Sequence, residues 1–396
     1  MARPLVIGVA EGGVASLSAE LRDRLAGMDL VVAAPRFRDG MPNGPETIDW
    51  PSPFSNIFNV LSDNSDKSVA LLMTGDPMWY GAGASLVREL GPDGCEVVPA
   101  VSGLQHAAAR LGWPMAGCRV VSIHGRPVSG IVSALHPRAR LLVIAQDGGS
   151  PMAAAKLLAA RGYGAARVHV LAHLGSSDEA RIDGTADGWK HDSVPDFHII
   201  GIECPDAGPV PHGLAAPDNS FDNDGKLTKR DARASALAKL APFPRAVLWD
   251  IGSGSGAVAI DFLRNAPRGI AYAIDRNQTQ LDCGNANAMT HGVTGFKPIC
   301  GDAADQIASL PRPDAVFIGG GISEQLIIAA QVALRLGGCL VAHAVTIESE
   351  SVMIAAWQRA GGDLVRLSVQ HADPVGGFHG WRPLMPVTQW CWHKQK

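Results

Sequence analysis

Three observations in the sequence predict an α/β protein made of two successive domains. Short apolar stretches alternate with helix-length stretches in both halves, at 5–9, 30–33, 69–73 and 96–99 and again at 246–251, 271–274, 298–300, 315–318 and 340–344. That alternation describes parallel sheets with helical crossovers. Between the halves, Pro205, Pro209, Pro211 and Pro217 lead into the polar run 218–225, too broken to form core. A chain of 396 residues is also long enough for two separate cores.

In the first half, the opening residues 1–10 read as a short apolar strand rather than a signal peptide, followed by Gly12-Gly13. The stretch at 69–73 runs into Thr74-Gly75-Asp76-Pro77, where Gly75 permits a sharp turn and Pro77 fixes the backbone beyond it. A second turn, Ala100-Val101-Ser102-Gly103, opens an alanine-rich helix at 104–111. Both turns fall at the carboxyl ends of strands, where open α/β sheets bind ligands. Further strands are expected at 141–145, 167–171 and 197–203, with a helix at 153–161.

In the second half, Thr228 is expected to cap a helix that carries Lys229, Arg230 and Arg233 within about one turn. The strand at 246–251 then runs into Gly252, Ser253, Gly254, Ser255 and Gly256 before a helix from Ala257. Glycine suits such a loop because a side chain would block the φ > 0 backbone or the approach of a nucleotide. Gly252 to Ala257 with Asp275 also satisfies a dinucleotide fingerprint, so a nicotinamide enzyme is one reading. Asp250, two residues before the first glycine, would repel a pyrophosphate but suits a ligand with an ammonium and a sulfonium. The remaining strands, with late ones at 369–371 and 387–392, are in an order compatible with a doubly wound sheet.

Composition narrows the function class. With 34 Lys plus Arg against 38 Asp plus Glu, the net charge of -4 advertises no nucleic-acid face, and the expected partner is a small molecule. Seven cysteines without a C-x-x-C pair suit a reducing cytoplasm. The histidines form no metal-binding motif, so no metal is expected, and no apolar run approaches the roughly 20 residues of a membrane span.

T-G-D-P-x-x-Y-G followed by P-A-V-S-G-L-Q resembles the tetrapyrrole methylases, and Ser122-Ile123-His124-Gly125-Arg126 resembles a signature of their precorrin branch. That resemblance implies two α/β subdomains with a methyl donor bound between them, against Gly8, Gly75, Asp76, Pro77, Val101 and Ser102. Gly8-Val9-Ala10-Glu11-Gly12 stands where the family usually has a Gly-Pro-Gly core. D-I-G-S-G-S-G resembles motif I of the Rossmann-like S-adenosylmethionine methyltransferases. There Thr228, Asp250, Gly252 to Gly256, Asp275, Asp302 and Ala303 would hold the donor, Asp275 on the ribose and Asp302-Ala303 beside the adenine. The same resemblance implies that the doubly wound sheet has seven strands with the last antiparallel.

Together with T-K-R-x-x-R-A, G-D-A and D-A-V-F-I-G-G, these motifs resemble the fused, decarboxylating precorrin methyltransferases of cobalamin synthesis. The resemblance implies a tetrapyrrole methylase domain over 1–208 for C5 methylation, a linker over 209–226, and a Rossmann-like domain over 227–396 for C15 methylation and decarboxylation. It also implies one S-adenosylmethionine per domain and a homo-oligomer. A ring covered in carboxylates calls for guanidinium and ammonium groups, for which Arg126, Lys229, Arg230 and Arg233 are candidates. Glu348, opening a helix after a strand, is a candidate polar group beside the ring. A non-catalytic tetrapyrrole carrier, and the same chemistry on another precorrin or a cobalt-loaded ring, are the rival readings.

Overall fold

The structure, a computed structural model, describes residues 3–395. It divides into two compact units with the main boundary between Pro209 and Val210. Residues 1 and 2, part of the expected opening strand, lie outside the described residues; the strand itself is Leu5–Val9.

The first unit contains two five-stranded sheets. In the first sheet the order is Glu46–Ile48, Leu30–Val32, Val69–Thr74, Leu5–Val9, Glu96–Val98, and every pairing is parallel. Its inner strands are continuous apolar runs because both faces are covered. Leu5, Ile7, Val9, Ala70 and Leu72 pack into one core, and Val6, Val69, Leu71 and Met73 into the other. The second sheet runs Arg119–Ser122, Arg140–Ile144, His198–Glu203, Arg167–Ala172, Ala180–Thr185, with only the first pair parallel. The helix Gly103–Leu111 packs Leu104, Ala107 and Ala108 against Leu142 and Leu171 of this sheet.

The second unit is a seven-stranded sheet in the order Phe296–Cys300, Ile270–Asp275, Val247–Ile251, Ala315–Ile318, Cys339–Ala344, Val387–His393, Asp363–Leu367. The first five strands are parallel, and Val387–His393 is antiparallel to both of its neighbours. The late strand expected at 369–371 is instead part of a separate hairpin, Gln370–Val375 with Phe378–Pro383. The sixth strand by sequence order is Asp363–Leu367.

Of the stretch 209–226 read as linker, residues 210–226 are a strap that belongs to the second unit. Ala215, Ala216 and Phe221 are buried in its core. What fastens the strap is Arg233, a fully buried side chain on the helix Arg230–Leu240. Its Nε donates to Asp261 at 2.7 Å and its Nη1 to Asp218 of the strap at 3.0 Å. Further bonds run to the carbonyls of Ala216 and Thr228, and the guanidinium lies 5.0 Å from the Phe221 ring centroid. Asp261 in turn accepts from the Ala216 amide and from Arg264. Arg233 is therefore a structural clamp and not a contact for substrate carboxylates. Thr228 is not the helix cap either, since the cap position falls at Lys229 without a side-chain bond.

A buried charge is tolerated only when it is paired, and removing one partner leaves the other charge stranded. Arg233→Ala should destabilise the second unit by about 3–5 kcal/mol in urea denaturation. A loss under about 1 kcal/mol would show that the clamp does not hold the strap.

Candidate functional site

Each unit carries a cavity at the carboxyl ends of its parallel strands. In the second unit the cavity measures about 670 Å³, within the range of sites for small ligands. Its floor is the turn after Val247–Ile251. Gly252 has φ +69°, and a Cβ there would lie 2.6 Å from the Gly320 amide nitrogen, so two loops cross with bare backbone in contact. Gly254 has φ +53° and open space where a Cβ would stand, which leaves a cradle facing the cavity. Gly256 serves packing instead, because its missing Cβ makes room for the Phe296 ring.

Four carboxylates line this cavity, Asp224 from the strap and Asp250, Asp275 and Asp302 from the strand ends. Asp250 is 1% exposed; its Oδ2 accepts from the Ser253 hydroxyl at 2.8 Å and the Ala259 amide at 3.1 Å. Its Oδ1 is buried without a partner. Burial pushes this carboxyl up to about 7, with the Asp275 charge adding to the shift. Asp275 accepts from the amides of Gly254 and Asn277, both at 2.9 Å, so it braces the glycine loop as well as lining the cavity. Asp302 caps the short helix Ala303–Gln306 and pairs with Arg276; the Ala304 amide and Arg276 together hold its carboxyl below the usual range. Thr228, Ser253, Ser255 and Ala303 also line the cavity, as do Phe317 of the D-A-V-F-I-G-G run and Lys226 and Gln280, which no motif singled out.

The first unit's cavity, about 610 Å³, lies where its two sheets meet. Gly75 has φ +64°, donates its amide to the Val9 carbonyl at 2.8 Å and sits against Ser102, bringing the two expected turns together. Gly75, Asp76, Val101 and Ser102 line the cavity. Asp76 braces its own turn by accepting from the Met78 amide at 2.8 Å. Gln105 Oε1 accepts from both the amide and the hydroxyl of Ser102 at 2.7 Å, which fixes the start of the helix Gly103–Leu111.

Two expected contacts in this unit serve packing. A Cβ on Gly8 would lie 2.3 Å from the Gly75 carbonyl and 2.8 Å from the Ala100 amide, so Gly8 is bare to let three strand ends converge and does not line the cavity. Pro77 is buried beneath Gly81 and Gly83, also outside the lining. His124 lines the cavity while Arg126 is exposed beyond it.

The sequence reading missed Glu11, Arg36, Asp196, Phe197 and His198, all of which line the cavity. Arg36 bonds the Thr74 hydroxyl, with its guanidinium 4.9 Å from the ring centroids of both Phe37 and Phe197. Trp79, Tyr80, Val101 and Phe197 are exposed large apolar side chains of this same lining. His198 donates its Nδ1–H to the Pro195 carbonyl at 2.7 Å, and burial lowers its basicity. Among the other candidates of the second unit, Arg230 bonds the Ala215 carbonyl, while Lys229 and Glu348 lie outside the cavity lining.

Residues 5–188 match the tetrapyrrole (corrin/porphyrin) methylases, and residues 219–394 match the precorrin methyltransferase domain. These matches define a methyltransferase with two domains of unlike architecture, each of a tetrapyrrole-modifying kind. A Sinorhizobium precorrin-6Y C(5,15)-methyltransferase (decarboxylating) is 37% identical over 98% of this chain and 96% of its own length. A Mycobacterium tuberculosis protein of the same name is 36% identical over 98% of both. The chain belongs to the family of precorrin-6Y C(5,15)-methyltransferases (decarboxylating). A probable cobalt-precorrin-6B C(15)-methyltransferase (decarboxylating) from Pyrobaculum aerophilum is 31% identical over 41% of this chain and 85% of its own length.

The family implies S-adenosylmethionine as methyl donor, and the second unit's residues fit it. The open cradle at Gly254 admits a backbone-hugging ligand, and the unpartnered Asp250 oxygen calls for a cation. The pH response follows. Because its folded value is raised from the ordinary 3.8 to about 7, the stability contributed by Asp250 is present below 3.8 and is lost as pH rises through about 7. Relative to Asp250→Asn, the free protein should lose roughly 4 kcal/mol across that window, measured by urea denaturation. Added S-adenosylmethionine should protect more at pH 8 than at pH 6. Equal pH profiles for protein and variant would mean that the carboxylate is solvated.

Proposed function

We propose that this chain transfers methyl groups to C5 and C15 of precorrin-6B and releases the C12 acetate carboxyl as CO2, giving precorrin-8. The observation that carries the reading is the pair of separate cavities, each at the strand ends of a unit whose sequence matches its own methyltransferase class. We assign C5 to the first unit, and C15 with decarboxylation to the second. The Pyrobaculum relative supports that division, since a protein matching 41% of this chain is named for C15 methylation and decarboxylation together.

One S-adenosylmethionine is proposed for each unit, supplying an electrophilic methyl on a sulfonium. The protein's own task is then positioning and exclusion of water, which is the larger part of catalysis for an in-line displacement. In the second unit Asp250 would balance the donor's positive charge and Asp275 would face its ribose, while the Gly252–Gly320 crossing keeps the loop from sagging into the cavity. In the first unit, Trp79, Tyr80 and Phe197 offer apolar area to a flat ring. Arg36 would supply the guanidinium for a ring carboxylate that was expected of Arg126. Loss of CO2 leaves an electron pair that the ring's own conjugated, protonated imine accepts.

Glu348, exposed in the first turn of the helix Ile347–Ala360, is retained as a polar contact for the ring. Full decarboxylation by Glu348→Gln would remove it from that role. A cytoplasmic setting and a homo-oligomer complete the proposal. The free cysteines support the first, and the exposed Phe378 and Trp381 of the hairpin support the second.

The test is a mass spectrum of the pigment after incubation of the full chain with S-adenosylmethionine and metal-free precorrin-6B. Two methyl groups gained and one CO2 lost is the expected result. Turnover only of the cobalt-loaded ring would move the substrate to the one in the Pyrobaculum relative's name. Methylation without loss of CO2 would refute the assignment of decarboxylation to the second unit.

A further inference from the structure

Among the described residues, only two buried carboxylate oxygens lack any hydrogen-bond partner, Asp250 Oδ1 and Glu11 Oε2. They occur one per unit. Asp250 stands in the strand Val247–Ile251, and Glu11 follows the strand Leu5–Val9, each strand flanked by neighbours on both sides in its parallel sheet. Both residues line the cavity of their own unit.

An unpaired buried carboxylate oxygen is costly, and a bound cation or donor group removes the cost. In the first unit the other lining carboxylates are already committed. Asp76 accepts from the Met78 amide and Asp196 from the Gly148 amide, both at 2.8 Å. Glu11 spends only Oε1, at 3.4 Å from His173 Nδ1, and its side chain is 15% exposed. The lining offers no lysine, and its one arginine, Arg36, bonds Thr74 between two rings. None of the lining histidines, His106, His124 and His198, bonds this oxygen either, and a cationic group on a ligand would satisfy it.

We propose that Glu11 is the counter-charge for the α-ammonium group of the methyl donor in the first unit, the counterpart of Asp250 in the second. This rests on the reading that the first unit binds its own donor. The choice between the donor's two cationic centres follows from the chemistry of transfer. The sulfonium becomes neutral as its methyl leaves, so a fixed anion beside it would stabilise the ground state more than the transition state and slow the reaction. The ammonium keeps its charge throughout, so an anion there binds donor, transition state and product alike. Glu11 thus holds the amino-acid end of the donor without opposing the chemistry.

The experiment is calorimetric titration of the full chain and of Glu11→Gln with S-adenosylmethionine, S-adenosylhomocysteine, and the homocysteine analogue with hydrogen in place of the amino group. The unaltered chain should bind two equivalents of donor. In Glu11→Gln one of the two sites should weaken by roughly ten- to a hundredfold for S-adenosylmethionine and S-adenosylhomocysteine alike, while the other stays unchanged. The deaminated analogue should bind the unaltered chain and the variant equally at that site, a comparison that does not depend on the variant's own stability. Weakening for S-adenosylmethionine alone would place Glu11 at the sulfonium and overturn the proposal, and so would unchanged affinity for both. A single equivalent bound by the unaltered chain would instead refute the donor site of the first unit.

Discussion

Bare backbone meeting bare backbone at the ends of neighbouring parallel strands is the constraint on which both sites depend. In the second unit a side chain on Gly252 would strike the backbone of Gly320. In the first, Gly8 fills the same need between Gly75 and Ala100. Parallel strands bring their carboxyl ends to one edge, and the loops leaving that edge compete for the same volume. Glycine at the crossing lets them share it. The cavity walls are then built from what the loops carry outward, such as Asp76 and Ser102 in one unit and Ser253 and Ser255 in the other.

Buried charge in this molecule takes two forms, distinguished by their hydrogen bonds. Arg233 is fully buried and fully engaged, with two carboxylates and two carbonyls around it. Such a group organises the chain and has no capacity left for a ligand. Asp250 is as deeply buried but half engaged, and its raised proton affinity records the imbalance. His343, a buried imidazole against Phe317 with a free Nε2, shows the neutral alternative: burial drives it down to about 4, so it stays uncharged and needs no counter-ion.

Much of the fold was legible in the sequence because the inner strands are buried on both faces and read as unbroken apolar runs. What escaped were strands at edges. Glu46–Ile48 has only three residues, and Ala180–Thr185 alternates Arg, Asp and Thr with Ala, Ile and Gly in a largely exposed ladder. Their pairing is decided by distant partners rather than by their own composition. In the sites, glycine loops were legible as loops, but whether a glycine faces a ligand or a neighbouring loop depends on three-dimensional approach, hence the misplaced Gly8. Arg233 did carry a readable signal. It lies three, four and seven residues before Ala236, Leu237 and Leu240, which share the buried face of its helix. A charge on that stripe had to find a partner inside, and Asp261, 28 residues further on, supplies it.

The strap bears on how the two halves can be separated. Because Ala216 and Phe221 fill the second unit's core and Asp224 and Lys226 wall its cavity, a half beginning at residue 227 would expose apolar surface and lose part of its binding site. Independent expression of the second half should start near Val210. The proline-rich run, which looks like a spacer on paper, is a folding determinant inherited by the downstream partner.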